Sequence, residues 1–321
     1  MKKYLLLFAV AVMSIACTSV EDKAKEKCDA ITKALGHNHF GKAEKFAYEF
    51  LNWYYELKFN NQVAVERVVI SYNNPELVDI LGFDDVVVGD KSGKTFVETA
   101  KGINLKMIYV EGGTFAMGSN SGESDEKPVH NVTLDSYYIG ETEITQAQWR
   151  AVMGSNPSRY TGDNRPVEWV SWNDAQEFCE KLSELTGKRY VLPTEAQWEY
   201  AARGGNQSND YIYSGSNNID EVAKYGSNGG GHSNVKRKKP NELGIYDMSG
   251  NVYEWCSDWY SSSSYSSSSQ TNPQGPSSGS ARVLRGGSWY DNASYCRVAF
   301  RNYNSPSYTI NFYGFRVVCL P

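Results

Sequence analysis

Few side chains in this chain of 321 residues have the type and spacing for covalent or metal chemistry. The six cysteines (Cys17, Cys28, Cys179, Cys256, Cys296 and Cys319) include no CxxC pair, so a zinc ribbon is disfavoured. Four histidines are just as dispersed. His37 and His39 lie in a polar loop near Cys28, where such residues are usually only solvated, and His130 and His232 stand far apart without helical ligand spacing. What the chain concentrates instead is recognition chemistry. Between Arg282 and Val318 stand Tyr290, Asp291, Asn292, Ser294, Tyr295, Phe300, Asn302, Tyr303, Asn304, Ser305, Ser307, Tyr308, Thr309, Ile310, Asn311, Phe312 and Tyr313, without hydrophobic periodicity. Tyr brings contact area with few rotors and a polar tip, while Ser and Asn bring adaptable hydrogen bonds, the mixture of a binding face. On composition alone the same mixture suits turns and exposed sheet edges, so the frame decides.

That frame is rigid at both ends. Val283, Leu284, Arg285, Gly286, Gly287, Ser288 and Trp289 open the stretch, and Gly314, Phe315, Arg316, Val317 and Val318 close it, with the apolar and Gly signals of buried strands and tight turns. Upstream, 106–110 and 114–119 read as two strands joined at Gly112 and Gly113, and 132–139 as another. Three helices are marked by their caps: Thr145 with Gln148 before Gly154, Ser171 before Gly187, and Thr194 with Gln197 before Gly204. Residues 204–239 read as loop, whose basic run Lys236 to Lys239 is a solvated edge sooner than a dock for an acidic partner. The Ser-rich run 261–269, interrupted by Tyr265, is expected to stay out of the core. Short helices among short strands predict an α+β domain over 103–321 with much irregular backbone.

A net charge of −5 makes no general case for nucleic acid or for an anionic membrane surface. Lys2 and Lys3 before the apolar run 4–13, which is too short to span a bilayer, read as a secretory leader. Ser14, Ile15, Ala16 and Cys17 resemble a bacterial lipobox, although Ser14 departs from the usual aliphatic residue. The resemblance implies a lipoprotein signal peptide over 1–16, a lipid anchor on Cys17, and a place in the bacterial cell envelope as an outer-membrane or surface lipoprotein. Residues 17–102 read as a small α+β appendage: a helix or tether to about Leu35, an amphipathic helix carrying Phe46, Phe50, Trp53, Tyr54 and Leu57, and β-prone segments at 63–72 and 84–97. The five cysteines beyond Cys17 are an odd number for an oxidising compartment, so at least one is free or intermolecular.

Several Trp-bearing strings, in order, resemble the formylglycine-generating enzyme, or sulfatase-modifying factor, family. They are Trp169-Val170-Ser171-Trp172, the run from Leu192 to Gly205, the run from Asn241 to Trp255, Arg285-Gly286-Gly287-Ser288-Trp289 and Gly314-Phe315-Arg316, and the match covers roughly 103–320. The resemblance implies a variant of the C-type lectin fold. It also implies a structural calcium site, with Asp247 and Glu254 as carboxylates and the carbonyls of Gly250 and Val252 as the remaining hard oxygens. It further implies a disulfide between Cys179 and Cys319, with Cys256 and Cys296 as a second candidate pair that leaves Cys28 unpaired.

The enzymes of this family oxidise a sulfatase cysteine with copper(I) held between two thiolates, an arrangement that needs both sulfurs. Aligned on Gly286, Gly287 and Ser288, the second thiolate matches Cys296 and the first falls on Asp291, a hard carboxylate, so copper is not expected. Phe312 replaces the family's Asn, whereas Ser288 and Tyr295 match. If the chain were an enzyme of this type acting on a cysteine, Cys296, Tyr295 and Ser288 would carry it. The iron-dependent sulfoxide synthases of the family need a histidine cluster that is missing. A third branch is non-enzymatic: the variable proteins of diversity-generating retroelements, which display a hypervariable C-terminal face. The interior residues of 282–318 are all of types encoded by NNY codons, and Lys, Glu, Gln and Met are absent from the stretch. Arg282, Arg285, Cys296, Arg297, Arg301, Gly314 and Arg316 alternate with them as framework. Tyr290, Asp291, Asn292, Ser294, Tyr295, Phe300, Asn302, Tyr303, Asn304, Ser307, Tyr308, Phe312 and Tyr313 are therefore expected to contact a protein or glycan ligand outside the cell, with no catalytic residue among them.

Overall fold

Three helices begin where a hydroxyl accepts the amide proton of the third helical residue while that residue's side chain answers the cap's own amide. These are α2 (Gln146–Met153) at Thr145, α3 (Trp172–Thr186) at Ser171 and α4 (Glu195–Ala202) at Thr194. The partner at Ser171 is Asp174. Gly154 and Gly187 end their helices in the left-handed region, at φ 81° and 69°. The computed structural model describes residues 20–36, 43, 45–47, 49–50, 95–226 and 230–320, and the chain forms two compact units, 1–91 and 92–321.

In the first unit, α1 (Val20–Gly36) buries Ala24, Cys28, Ile31 and Leu35, one face at helical spacing. Positions 43, 45–47, 49 and 50 are also helical, with Ala43, Ala47 and Phe50 buried. The lipobox with Cys17, the residues Trp53, Tyr54 and Leu57, and the segment 63–72 lie outside the described residues.

The second unit starts earlier than the sequence suggested, at residue 92 and not 103. The reason is β1 (Thr95–Glu98), whose residues pair antiparallel with β2 (Leu105–Val110), Thr95 opposite Ile108. A five-stranded sheet runs β1-β2-β5-β12-β6, with β5 (Tyr137–Gly140), β6 (Arg189–Val191) and the C-terminal β12 (Val318–Leu320), which lies between β5 and β6. Both of its faces are covered. Leu105 and Met107 join one core with Trp149, Phe178 and Phe315, while Ile108 and Val110 join the other with Trp198 and Tyr200, as alternation along a strand requires.

A three-stranded sheet holds β3 (Gly113–Met117), β4 (His130–Leu134) and β8 (Gln270–Thr271). The single strand expected over 132–139 is thus two, β4 and β5, because Asp135 N–H turns to Asn272 Oδ1 (2.9 Å) and Ser136 Oγ to Gly112 N–H (2.9 Å). The four-stranded sheet that carries the C-terminal stretch runs β10-β9-β7-β11: β10 (Asn302–Asn304), β9 (Arg282–Arg285), β7 (Tyr253–Trp259) and β11 (Tyr313–Gly314). Among the described residues of 204–239, a short 3-10 turn (Gly205–Gln207) and α5 (Ile219–Val222) are regular. The basic run there is used internally: Lys236 pairs with Glu141, Lys238 Nζ donates to Asp220 O (2.6 Å) and Lys239 meets Glu221 at 3.1 Å.

The aromatic face and its arginine frame

Four arginines hold the 282–318 stretch from beneath. Arg285, with no exposed surface, donates to the carbonyls of Val298 (2.9 Å), Ala299 (3.0 Å) and Phe300 (2.7 Å) and pairs with the Glu199 carboxylate. Arg301 grips Glu195 through Nε (2.6 Å) and Nη2 (2.8 Å) and lies over the rings of Tyr265 and Tyr260. Arg316 grips Glu254 in the same two-pronged way (2.6 and 2.7 Å) and donates to Gly140 O and Tyr246 O. Arg297 forks onto Glu126 at 2.8 and 2.7 Å. Burial alone would raise the Glu199 and Glu126 carboxyls. The guanidiniums of Arg203 and Arg285 on the first, and of Arg297 on the second, outweigh it and hold both below the usual range.

Tyr265 corrects the reading of the Ser-rich run as excluded from the core: it is buried in the hydrophobic cluster around Trp198, beneath Arg301.

Above the frame, exposure sorts the expected contact residues. Tyr290 (68%), Tyr295 (40%), Tyr303 (49%) and Tyr308 (43%) face solvent, as do Asn292, Ser294 and Ser307. Asp291, Asn302, Asn304 and Phe312 are half-buried, with Phe312 stacked on Tyr290 at 5.7 Å between ring centres. Phe300 and Tyr313 are corrections: both are core side chains, and Tyr313 packs edge-on against Trp255 (5.3 Å) and Tyr253 (5.8 Å). Two residues outside the stretch extend the exposed surface. Trp169 is 41% exposed with a left-handed φ of 64° and donates its N–H to Ile310 O (3.1 Å), and Ile212 is 51% exposed. Trp169 stood within the first Trp-bearing string, yet the string alone said nothing of its exposure.

At the oxidase position, Gly287 (φ 71°) brings its backbone so close that a Cβ would meet Cys296 Sγ at 2.8 Å and Tyr295 O at 2.7 Å. Ser288 Oγ donates to Asp291 Oδ2, and Gly226 N–H donates to Asp291 O (2.8 Å). Burial raises the Asp291 carboxyl, and it raises the Cys296 thiol further, helped by the Asp291 charge. A thiol held protonated is a poor nucleophile and a poor soft-metal ligand. Tyr295, the third residue named for an oxidase, points its ring to Phe300 (4.9 Å). All five described cysteines are free thiols. Both disulfide expectations are therefore corrected: Cys179 and Cys319 share one hydrophobic cluster unbonded, and Cys256 and Cys296 belong to different clusters.

Of the residues expected to hold calcium, the two carboxylates have protein partners. Both Glu254 oxygens accept from Arg316, and Oε2 also accepts from Trp198 Nε1 (2.7 Å). Asp247 Oδ2 accepts Lys236 N–H (2.8 Å), and Gly250 turns at φ 81° where a Cβ would run into Lys224 O. The Arg316 guanidinium does not cancel the charge of this turn, since the buried carboxyls of Glu143, Asp247 and Glu254 still repel one another beside it, so the donor set of Asp247, Gly250, Val252 and Glu254 fits a cation. Among the described residues no group of three or more His, Cys, Asp or Glu is placed to hold a metal.

Fold and site together define a protein of C-type-lectin-like architecture with formylglycine-generating-enzyme neighbours. The sulfatase-modifying factor enzyme 1-like domain matches residues 94–320, and the chain belongs to that family. It is 38% identical over 245 residues to the chaperone protein LppX of Paenibacillus barcinonensis, covering 60% of this chain and 82% of the relative. It is 34% identical over 285 residues to the formylglycine-generating enzyme of Streptomyces coelicolor, covering 65% and 87%. Among solved structures it is similar to Treponema denticola variable protein 1, with a TM-score of 0.67 and 36% identity over 71% of this chain and 99% of that one.

Proposed function

We propose that the chain is a non-catalytic binding protein that presents Tyr290, Tyr295, Tyr303 and Tyr308, with Asn292, Ser294 and Ser307 between them, to a protein or glycan outside the cell. The observation that carries this reading is the state of position 291. A carboxyl hydrogen-bonded to Ser288 stands where an oxidase of the family needs its first thiolate, beside a buried Cys296 thiol pushed well up, and four tyrosines of the same stretch are exposed. The likeness to a variable protein supports the same reading. Lipid anchoring at Cys17 and an envelope location belong to the proposal, as does diversification of 282–318. Calcium on the 247–254 turn, held by Asp247, Gly250, Val252 and Glu254 beside the Arg316–Glu254 pair, belongs to the proposal as well.

The test compares the full chain with Asp291→Cys. Neither copper(I) binding nor oxidation of a cysteine in a sulfatase-type peptide is expected of the wild type, and copper-dependent turnover by it would refute the proposal. Screening the full chain on a glycan array and against a displayed peptide library, beside a Tyr290/Tyr303/Tyr308→Ala variant, reads the binding directly: hits shared equally by both proteins would reject the face. Palmitate labelling lost in Cys17→Ala tests the anchor, and codons at the face positions ending in A or G would reject diversification.

A further inference from the structure

A cavity of about 540 Å³ opens between the first turn of α4 and the 264–276 segment, within the range of about 300–1,000 Å³ in which proteins hold small molecules. Asp258 and His130, only 4% and 5% exposed, both line it, and each keeps a polar atom that meets no described residue. The hydrogen bonds to Asp258, from Glu195 N–H (2.9 Å) and Ser257 Oγ (3.1 Å), both fall on Oδ2. Its Oδ1 is left over beside Gly275 of the cavity wall, where a Cβ would stand 3.0 Å from it. His130 packs its ring on Tyr265 (4.7 Å) and donates Nδ1–H to Pro128 O (3.1 Å), so that a neutral imidazole keeps Nε2 as an acceptor. Buried polar groups nearly always find partners, so these two atoms point to a bound molecule.

We propose that this cavity binds a primary alkylammonium group, with Asp258 Oδ1 as its counter-charge and His130 Nε2 as a second acceptor. The walls select that chemistry. Among the described residues no Lys or Arg lines the cavity, so an anion would find no counter-charge there. Glu195 lines it too, but Arg301 already occupies both of its oxygens (2.6 and 2.8 Å). Burial, then the Glu195 charge, raises the Asp258 carboxyl and outweighs the Arg301 charge, so the field at Asp258 favours an incoming cation. Two protein donors are too few to hold a metal ion, whereas an ammonium asks only for hydrogen-bond acceptors. Met117, Pro273 and Pro276 give its hydrocarbon stem an apolar wall. A free amine and a lysine side chain share this chemistry. None of the exposed tyrosines 290, 295, 303 and 308 lines the cavity, so the site is separate from the aromatic face.

The experiment titrates the full chain by calorimetry at pH 8, first with 1,5-diaminopentane and then, separately, with Nα-acetyl-lysine methylamide. One equivalent is expected to bind, and Asp258→Asn should weaken it at least about tenfold, the loss of a hydrogen bond to a charged group. Uptake of the diamine alone assigns a free amine as the ligand, and uptake of the lysine derivative assigns a side chain. No uptake of either, equal uptake of 1,5-pentanediol, or binding unchanged in Asp258→Asn would overturn the site. Tyr290/Tyr303/Tyr308→Ala should bind the probe as the wild type does, and loss of binding there would move the probe to the aromatic face and refute the cavity. Should Asp258→Asn not fold, nuclear Overhauser contacts in the wild type decide. Contacts between the probe's methylenes and the Met117 methyl support the cavity, and their absence refutes it.

Discussion

The 282–318 segment has an underside and an outer side that follow opposite rules. Below, Arg285, Arg301 and Arg316 are at most 4% exposed and spend their donors on carboxylates and on backbone carbonyls. Above, four tyrosines are at least 40% exposed and engage mainly other rings. The carbonyls that Arg285 grips, at Val298, Ala299 and Phe300, exist whatever side chain those positions carry. The side chains there are buried as well, so 298–300 is fixed apart from the exposed positions on either side of it. A frame held on its buried side tolerates substitution at its exposed positions.

Breaking the underside should have the largest effect. Glu254→Gln leaves Arg316 charged and buried with half its partner, and Arg316→Met strands Glu254. Each is expected to cost about 3–5 kcal/mol in urea unfolding, since removing one member of a buried pair leaves an uncompensated charge. Calcium added to chelator-stripped protein should raise the Tm by relieving the repulsion among Glu143, Asp247 and Glu254, and an unchanged Tm would remove the ion from that turn. Tyr313→Ala, which opens a cavity beside Trp255 and Tyr253, should cost about 3–5 kcal/mol despite its position in the aromatic stretch.

A smaller effect separates the same two sides by pH. Burial, then the Glu195 charge, pushes Asp258 up to about 7, and burial pushes Asp247 up to about 6. Both folded values lie above the unfolded one near 3.9, so their stabilising contribution is complete below that value and is lost as pH rises through about 6 to 7. Glu199 and Glu126 have lowered folded values, so theirs is present above the unfolded value near 4.3 and is lost as pH falls through the folded ones. Melting should thus be highest near pH 4, where the two windows meet, and stability should fall steadily from there to about pH 7, with Asp258 carrying the larger share of the fall. Asp258→Asn should flatten the alkaline side. An unchanged slope would mean that the carboxyl is ionised in the folded protein.

How much of this was legible in the sequence follows from how far each feature reaches along the chain. Caps and stops are local, and Thr145 with Gln148, Thr194 with Gln197, Gly154 and Gly187 all stand where their side chains announced them. The Trp-bearing strings carried the fold, and the arginines spaced among the aromatic residues marked the frame. Long-range partners left no such trace. Tyr265 inside a serine run gives no sign that Arg301 will cover it, and the pairing of β1 with β2 moved the boundary to residue 92. Residue type could not sort Tyr313 and Phe300 from Tyr290 and Tyr303, because an aromatic ring suits a core and a contact surface equally. The buried contact of His232 with Glu168 joins two separate loops, so neither residue marked it in the sequence.

The smallest expected effect is the most telling. Tyr290→Ala and Tyr308→Ala should each change stability by no more than about 0.5 kcal/mol, because exposed side chains away from caps and buried pairs contribute little to folding. Tyr303→Ala should cost somewhat more, since its ring stacks on Tyr260 at 3.9 Å. Against any binder selected on the wild-type chain, the same substitutions should cost more than about 1–2 kcal/mol where the ring meets a pocket in the partner. Large losses of stability from Tyr290→Ala would mean that the face helps to hold its own frame, and the two sides of the segment would then be a single structural unit that could not change its contacts without risking its fold.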